Sequence, residues 1–285
     1  MNVDDSYAWC ARVARRQAKN FYYSFLLLSR PQRRAMCAIY AFMRYCDDLS
    51  DDEGIADRST AIRQWRQDLE LALAGLVPDH AVWPAFIDAV KHYRIPHEYF
   101  FDMIDGVSSD LEPRRIQTFE ELYDYCYHVA SVVGLTIVHI FGFDSKDALK
   151  LAEKCGIAFQ LTNILRDVRE DSEKGRVYLP AEDFKRFDVS PNTFEPHEEF
   201  QAMMEFEARR ARDYYYQSAP LTAMVQPASQ PSLRALILIY SRLLDRIVAS
   251  DYDVLRRRIR VPAWEKVWLL IRAQFRLAGS SLPPP

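Results

Sequence analysis

Two short runs of the chain carry the side chains best suited to chemistry. One reads Asp47-Asp48-Leu49-Ser50-Asp51-Asp52 and the other Asp167-Val168-Arg169-Glu170-Asp171. Each holds two aspartates four residues apart, which puts both carboxylates on one face if the segment is helical. Asn163 lies one turn before Asp167, and Gln160 about one turn earlier still. Like charges at this spacing repel, so the pattern implies a cation. Mg²⁺ takes hard oxygen ligands and is commonly shared between one or two carboxylates and a substrate's phosphates. Two such helices facing each other would hold Mg²⁺ and a diphosphate, and would stabilise the charge of a departing diphosphate. Arg44, one turn before Asp48, and Arg166, beside Asp167, suit phosphate recognition. The competing reading of either run is a solvated charged face. Two runs of one design, each flanked by apolar residues, weigh against it.

These carboxylates must be positioned by helices, and the rest of the chain reads as helical. The 285 residues are 49 % apolar and 27 % charged, with only 8 glycines, which suits one packed, helix-rich domain. The net charge of −3 leaves no electrostatic footprint for nucleic acid. Five scattered cysteines without a Cys-x-x-Cys pattern argue against a disulfide framework or a zinc site, and a reduced cytoplasmic setting is expected. The N-terminal residues lack the basic and apolar stretches of a signal peptide. The longest apolar stretch, Val129 to Phe143, is short for a bilayer span and is expected to be a buried core helix. Peripheral contact with a membrane stays open.

Helical periodicity places elements at about Tyr7 to Lys19, Pro31 to Ser50, Asp57 to Leu73, Ala81 to Tyr93, Pro96 to Asp110 and Thr118 to Phe143. Further helices are expected at about Ser145 to Glu170, Glu198 to Ala219, Gln230 to Asp253 and Pro262 to Leu277. Pro31 suits a helix start, and Thr118 with Glu121 makes a capping box. Strand alternation and hairpin turns are not found. Residues 1–278 are read as one all-α domain, and the tail 279–285 as disordered.

The sequence around both clusters resembles the squalene/phytoene synthase family. Tyr40-Ala41-Phe42-Met43-Arg44-Tyr45-Cys46-Asp47-Asp48-x-x-Asp51 is similar to its first signature. Gln160-x-x-Asn163-Ile164-Leu165-Arg166-Asp167-Val168-x-Glu170-Asp171, followed by Gly175-Arg176-Val177-Tyr178-Leu179-Pro180, is similar to its second. Lys19-Asn20-Phe21-Tyr22-Tyr23-Ser24-Phe25 resembles the family's phosphate-contacting segment, Tyr125 to Gly134 its mid-chain motif, and Tyr240 to Arg257 its late helix. The resemblance implies an isoprenoid-synthase fold with a central cavity and head-to-head condensation of two allylic prenyl diphosphates. It implies Asp47, Asp51, Asn163, Asp167 and Asp171 as the metal clamp for Mg²⁺, with Mn²⁺ as an alternative. Arg44, Gln160, Arg257 and Tyr240 would contact diphosphate or its metals, and Tyr125 would line the chamber near a cyclopropyl intermediate. Ala18 stands where relatives often carry serine, so it lacks the hydroxyl for a phosphate contact; Lys19 and Asn20 keep a charge and a donor there.

An allylic cation must be shielded from water, so the cavity should be apolar and aromatic. Phe21, Tyr22, Phe25, Tyr40, Tyr125 and Tyr127 are candidates for its wall. Ala130, Ser131 and Gly134 either leave a groove for an isoprenoid tail or serve close helix packing. Phe21 and Phe25, one turn apart, would shorten the pocket and favour a C15 substrate. The expected reaction joins two farnesyl diphosphates into presqualene diphosphate or a squalene-type C30 product, as in bacterial hopanoid pathways. Phytoene or dehydrosqualene synthesis is the alternative; a terpene cyclase or a non-catalytic binding protein is more remote. No Gly-x-Gly-x-x-Gly occurs, and NADPH is not expected to be required. Expected partners are the prenyl diphosphates, with a membrane surface for product release and other isoprenoid-pathway enzymes left open.

Overall fold

The computed structural model describes residues 1–18, 21–52, 54–111, 115–191, 194 and 197–275. Among these the chain is a bundle of α-helices without a β-strand; two isolated bridges, Arg115 with Val177 and Phe143 with Val225, are its only sheet-like pairings. The expected tail 279–285, and the candidate residues Lys19 and Asn20, lie outside the described residues.

The first half of the bundle is α1 (Val3–Gln17), α2 (Phe21–Phe25), α3 (Arg30–Asp51), α4 (Arg58–Leu73), α5 (Trp83–Tyr93) and α6 (Glu98–Ser109). Pro31 sits in the first turn of α3, where its missing N–H costs nothing. The buried face of α3 runs through Met36, Ile39, Phe42, Met43 and Cys46. Phe42 anchors it: its ring stacks on Phe86 at 4.3 Å and on Trp65 at 5.5 Å, and meets Phe100 edge-on at 5.6 Å. Burying side chains of this size stabilises by roughly 1.5–3 kcal/mol each, so this one ring ties α3 to α4, α5 and α6 at once.

The second half contains α7 (Phe119–Cys126), a π-helical turn (Tyr127–Ser131), α8 (Val132–Phe141) and α9 (Asp147–Glu173). It continues with α10 (Ala181–Arg186), α11 (Glu198–Ser218), α12 (Leu221–Met224), α13 (Gln230–Val248) and α14 (Ala263–Phe275). Thr118 caps α7 by accepting from the Glu121 N–H at 3.3 Å. Helix α9 is the axis of this half. It packs on α11, α8, α13 and the π turn, and is buried round much of its circumference. The five cysteines are all free and buried.

Four expectations change. The single helix from Thr118 to Phe143 is interrupted by the π turn, which adds a residue to the helix repeat just where it faces α9. The joined helix, Phe119–Phe141, is long and apolar enough to cross a membrane by length and composition, but more than half of that stretch is buried inside the bundle. Helix α13 stops at Val248 rather than Asp253, because Asp251 and Tyr252 adopt left-handed backbone (φ 51° and 59°) and turn the chain. Helices α2, α10 and α12 have 5, 6 and 4 residues, too few for a periodic pattern to register.

Glycines bring α9 against its neighbours. A Cβ on Gly156 would lie 2.6 Å from the Ser131 Cα, and one on Gly134 would lie 2.9 Å from the Ala152 carbonyl oxygen. The neighbouring atoms are backbone and cannot turn aside. Ser131 tightens the same contact by donating to the Glu153 carbonyl at 2.8 Å. Gly156→Ala is therefore expected to force the π turn off α9 and destabilise the protein by about 1–3 kcal/mol, read as a lowered midpoint in urea unfolding; an unchanged midpoint would refute the close packing.

Candidate active site

Helices α3 and α9 carry the two aspartate runs to one end of an apolar cavity of about 240 Å³. Its wall includes Phe21 and Phe25 of α2, Met36, Ile39 and Tyr40 of α3, and Val133, Gly134 and Ile137 of α8. Gly156 and Phe159 of α9, with Leu233, Leu236 and Tyr240 of α13, complete the circle. Phe159 stacks on Tyr240 at 4.4 Å, and Phe21 meets Tyr240 edge-on at 5.7 Å. Arg44, Asp47, Gln160 and Asn163 stand on this wall too. Phe21, Tyr40, Arg44, Asp47, Asn163 and Tyr240 also face a second, polar space, so the cavity opens into a vestibule. The vestibule is further lined by Ala18, Arg166, Arg258, Arg260 and Lys266. An apolar chamber thus adjoins a mouth that holds both acids and cations.

The acids at the mouth are crowded. Burial pushes the Asp47 carboxyl up to about 7, against the pull of Arg44, and the neighbouring Asp51, Asp48 and Asp110 add to the rise. Asp171 is likewise pushed up to about 7 by burial, then by Asp167, with Arg176 and Lys174 opposing. Asp110, at the end of α6, contributes to both, which shows that the α3 and α9 carboxylates share one electrostatic environment. Its own carboxyl is raised by burial, an effect opposed by Tyr178, Arg176 and Tyr125.

Basic side chains answer this charge. Arg44 donates to Asp48 within α3. Arg166 grips Asp167 with both arms of its guanidinium, one bond measuring 2.8 Å. Arg258 reaches the same Asp167 at 3.1 Å and Glu170 at 2.7 Å. Arg176 donates to Asp51 at 3.0 Å and to the Asp110 carbonyl at 3.3 Å, and Lys174 stands 3.5 Å from Asp51. The segment bearing Arg176 is pinned across the mouth by the Val177–Arg115 bridge and by the Ala181 N–H donating to the Ile116 carbonyl at 3.0 Å.

Most of the residues singled out from the sequence meet here; Arg257, Tyr125, Tyr22 and Tyr127 do not take the places expected of them. Arg257 is exposed and pairs with Asp253 at 3.2 Å, while the adjacent Arg258 takes the place at Asp167. The cause is the early end of α13, which puts these arginines in an irregular turn instead of on a helix face. Tyr125 is not on the cavity wall. It lies under the acidic rim, donating to Asp110 at 3.0 Å and stacked on Tyr178 at 4.8 Å. Tyr22 and Tyr127 are also absent from the wall, whereas Phe21, Phe25, Tyr40, Ala130 and Gly134 are on it. Sequence reasoning missed Asp110, Phe159, Arg258, Arg176 and Tyr178 as site residues. The last two lie in the quoted Gly175 to Pro180 run; Asp110 has no motif around it.

Chain-wide comparison places this geometry among known proteins. The family profile described as squalene/phytoene synthase matches residues 14–265. The chain belongs to that family. It is 35 % identical to the 15-cis-phytoene synthase of Synechococcus elongatus over 96 % of this chain and 94 % of that protein. The chloroplastic phytoene synthase of Daucus carota is 35 % identical over 93 % of this chain and 69 % of its own length. Among solved structures, a dehydrosqualene synthase in complex with ligand superposes with a TM-score of 0.89 at 30 % identity, covering 96 % of this chain and 97 % of that one. The squalene synthase HpnC from Alicyclobacillus acidocaldarius gives 0.81 at 26 % identity, over 87 % and 94 % of the two chains. The protein is thus a prenyltransferase of the head-to-head squalene/phytoene synthase type, with the terpenoid-synthase fold.

The raised carboxyls set a pH dependence. A group whose pKa is higher in the folded chain contributes its stability at low pH and loses it as pH rises. For Asp47 that window runs from its ordinary 3.8 to about 7. In the presence of a chelator, Asp47→Asn should therefore gain stability over the parent protein as pH rises through this window. The gain should stay below roughly 1.4 kcal/mol per pH unit, because the vestibule admits solvent. Urea unfolding of both proteins at several pH values measures it, and a gap that is constant with pH would contradict the crowding of charge.

Proposed function

We propose that the protein condenses two molecules of farnesyl diphosphate head to head, forming presqualene diphosphate or a squalene-type C30 product. The observation that carries this reading is the junction of an aromatic-lined apolar cavity with a mouth bearing both aspartate runs and a ring of arginines. A prenyl diphosphate has the same two-part chemistry.

The donor set suits a hard divalent cation. The side-chain oxygen of Asn163 is buried without a hydrogen-bond partner, while its amide donates to Gln160 at 3.3 Å. A buried acceptor left unsatisfied costs about 1–3 kcal/mol, which a cation would relieve. Among the described residues no three acids, histidines or cysteines converge tightly enough to hold an ion alone, so phosphate oxygens and water must complete the shell. We assign Asp47, Asp51, Asn163, Asp167 and Asp171 to Mg²⁺, or to Mn²⁺ in its place. Bound there, the metal would draw off the diphosphate's developing charge.

The chain's own groups do the rest. Arg44, Arg166 and Arg258 exchange part of their carboxylate pairing for phosphate oxygens, to which a planar guanidinium is equally matched. The C1–O bond of one substrate breaks and its diphosphate leaves. The double bond of the second substrate attacks the resulting allylic carbon, and loss of one proton closes a cyclopropane. Phe21, Phe159 and Tyr240 present ring faces and edges to the chamber, where they stabilise positive charge and exclude water. No step up to this point needs NADPH.

Chain length is read from Phe25. It is only 1 % exposed, lines the inner cavity, and does not reach the vestibule, so it shortens the space for a tail. The likeness to a dehydrosqualene synthase and to a squalene synthase supports the C15 substrate as well. The second reading, condensation of two geranylgeranyl diphosphates to phytoene, is favoured by the names of the sequence relatives.

Mass analysis of products, with and without NADPH, decides between them. Farnesyl diphosphate should be consumed without NADPH, and Phe25→Ala should gain turnover of geranylgeranyl diphosphate; consumption of the longer substrate alone by the parent protein would transfer the assignment to phytoene synthesis. Asp167→Asn should retain the unfolding midpoint within about 1 kcal/mol yet cut diphosphate release by roughly a hundredfold or more. Near-parental release would remove Asp167 from the clamp.

A further inference from the structure

Helix α14 has two apolar faces. Leu269, Leu270 and Ala273 are buried on the inner one, where α14 packs against α13. On the opposite side Trp264, Val267, Trp268, Ile271 and Phe275 recur at spacings of three, one, three and four residues, which form one stripe. Each is exposed, by 71, 46, 51, 49 and 69 % respectively. Exposed apolar residues scattered singly are ordinary; five large ones in a row on one helix, two of them tryptophan, are a surface that expects a partner.

The surroundings of the stripe are basic. From Arg256 to Arg272 the chain holds six arginines and lysines and a single acid, Glu265. That acid is buried and held by Arg242 and Arg246, so it does not offset the exposed charge. Arg256 and Arg257 are largely exposed, and the Arg272 guanidinium lies over the Trp268 ring at 5.4 Å. Arg256 and Arg257 lean on Asp253, just before this segment, and Arg258 turns to Asp167 and Glu170, so the positive charge nearest the stripe comes from Arg260, Lys266 and Arg272. The segment also reaches the active-site mouth: Arg260, Val261 and Lys266 line the vestibule.

We propose that the outer face of α14 docks the protein on an anionic lipid bilayer, with Trp264 and Trp268 at headgroup depth and the arginines on lipid phosphates. Tryptophan favours that interface, and an amphipathic helix with basic flanks lies in its plane. The charge selects this occupant. A second copy meeting the stripe across a two-fold axis would bring Arg272, beside Trp268, and the neighbouring Arg260 and Lys266 against their own counterparts, whereas anionic headgroups complement them. Resting on the prenyl diphosphate reading for its purpose, the docking would set the vestibule beside the phase in which an apolar product dissolves.

The test is co-sedimentation of the full chain with vesicles of phosphatidylcholine alone or mixed with phosphatidylglycerol. The parent protein should bind the mixed vesicles, less so at high salt. The double variant Trp264→Ser, Trp268→Ser should bind them at least about tenfold more weakly, with the same unfolding midpoint. Diphosphate release in detergent micelles should match the parent's, since neither tryptophan lines the cavity or the vestibule. Equal sedimentation of the two proteins overturns the proposal. So does light scattering that finds a dimer which the variant splits, because the stripe would then be a self-association face. Vesicle binding without diphosphate release in either protein would sink the catalytic reading and leave the docking intact.

Discussion

Carboxylates gathered at the mouth of an apolar chamber are the constraint around which this molecule is arranged. Burial holds Asp47 and Asp171 well above the ordinary carboxylate range and raises Asp110 as well, and each also feels at least one of the others' neighbours. Taking like charges out of water together is unfavourable by several kcal/mol unless cations share the space. The fold answers with Arg44, Arg166, Arg176, Lys174 and Arg258, drawn from α3, α9, the segment after α9 and the turn after α13. Beneath the rim Tyr125 and Tyr178 each donate to Asp110 at 3.0 Å and stack on one another. Elements far apart in sequence are thereby tied to one cluster.

The chamber behind the mouth obeys the opposite rule. Its wall is aromatic and aliphatic, and among the described residues the charged, amide and hydroxyl groups on it belong to residues shared with the vestibule, apart from Gln160. Such a space exists because α9 comes unusually close to its neighbours at Gly134 and Gly156, while the π turn beside them presents Val129 and Ala130 inward. Close packing on one side and small residues on the other leave room that larger side chains would fill. A charge-handling mouth and a dry chamber are what a reaction needs when it begins by expelling an anion and proceeds through a cation.

The last segment of the chain joins these regions to the outside. Between α13 and α14 it delivers Arg258 to Asp167 and Arg260 to the vestibule. It then enters a helix whose inner face is core and whose outer face carries an exposed apolar stripe. The same short stretch is therefore responsible for both the polarity of the mouth and the character of the adjoining surface.

Sequence alone determined the parts that depend on spacing within one helix. The i, i+4 aspartates of α3 and α9, with Asn163 and the arginines beside them, were legible because a helix puts such residues on one face whatever surrounds it. The all-α class and the approximate limits of most long helices followed from the same periodicity, though not the end of α13 or the break at the π turn, and the resemblance supplied the chemistry. Only the tertiary structure decided the rest. Asp110 has no partner at helical spacing, and its role arises from the approach of α6 to the two clusters. Arg258 rather than Arg257 faces Asp167 because a left-handed pair at Asp251 and Tyr252 redirects the chain, a choice that no helical wheel contains. Tyr125 stands beneath the rim instead of on the chamber wall because Asp110 and Tyr178 hold it there. Local geometry fixes which residues share a face; which face meets which depends on burial summed over the whole chain.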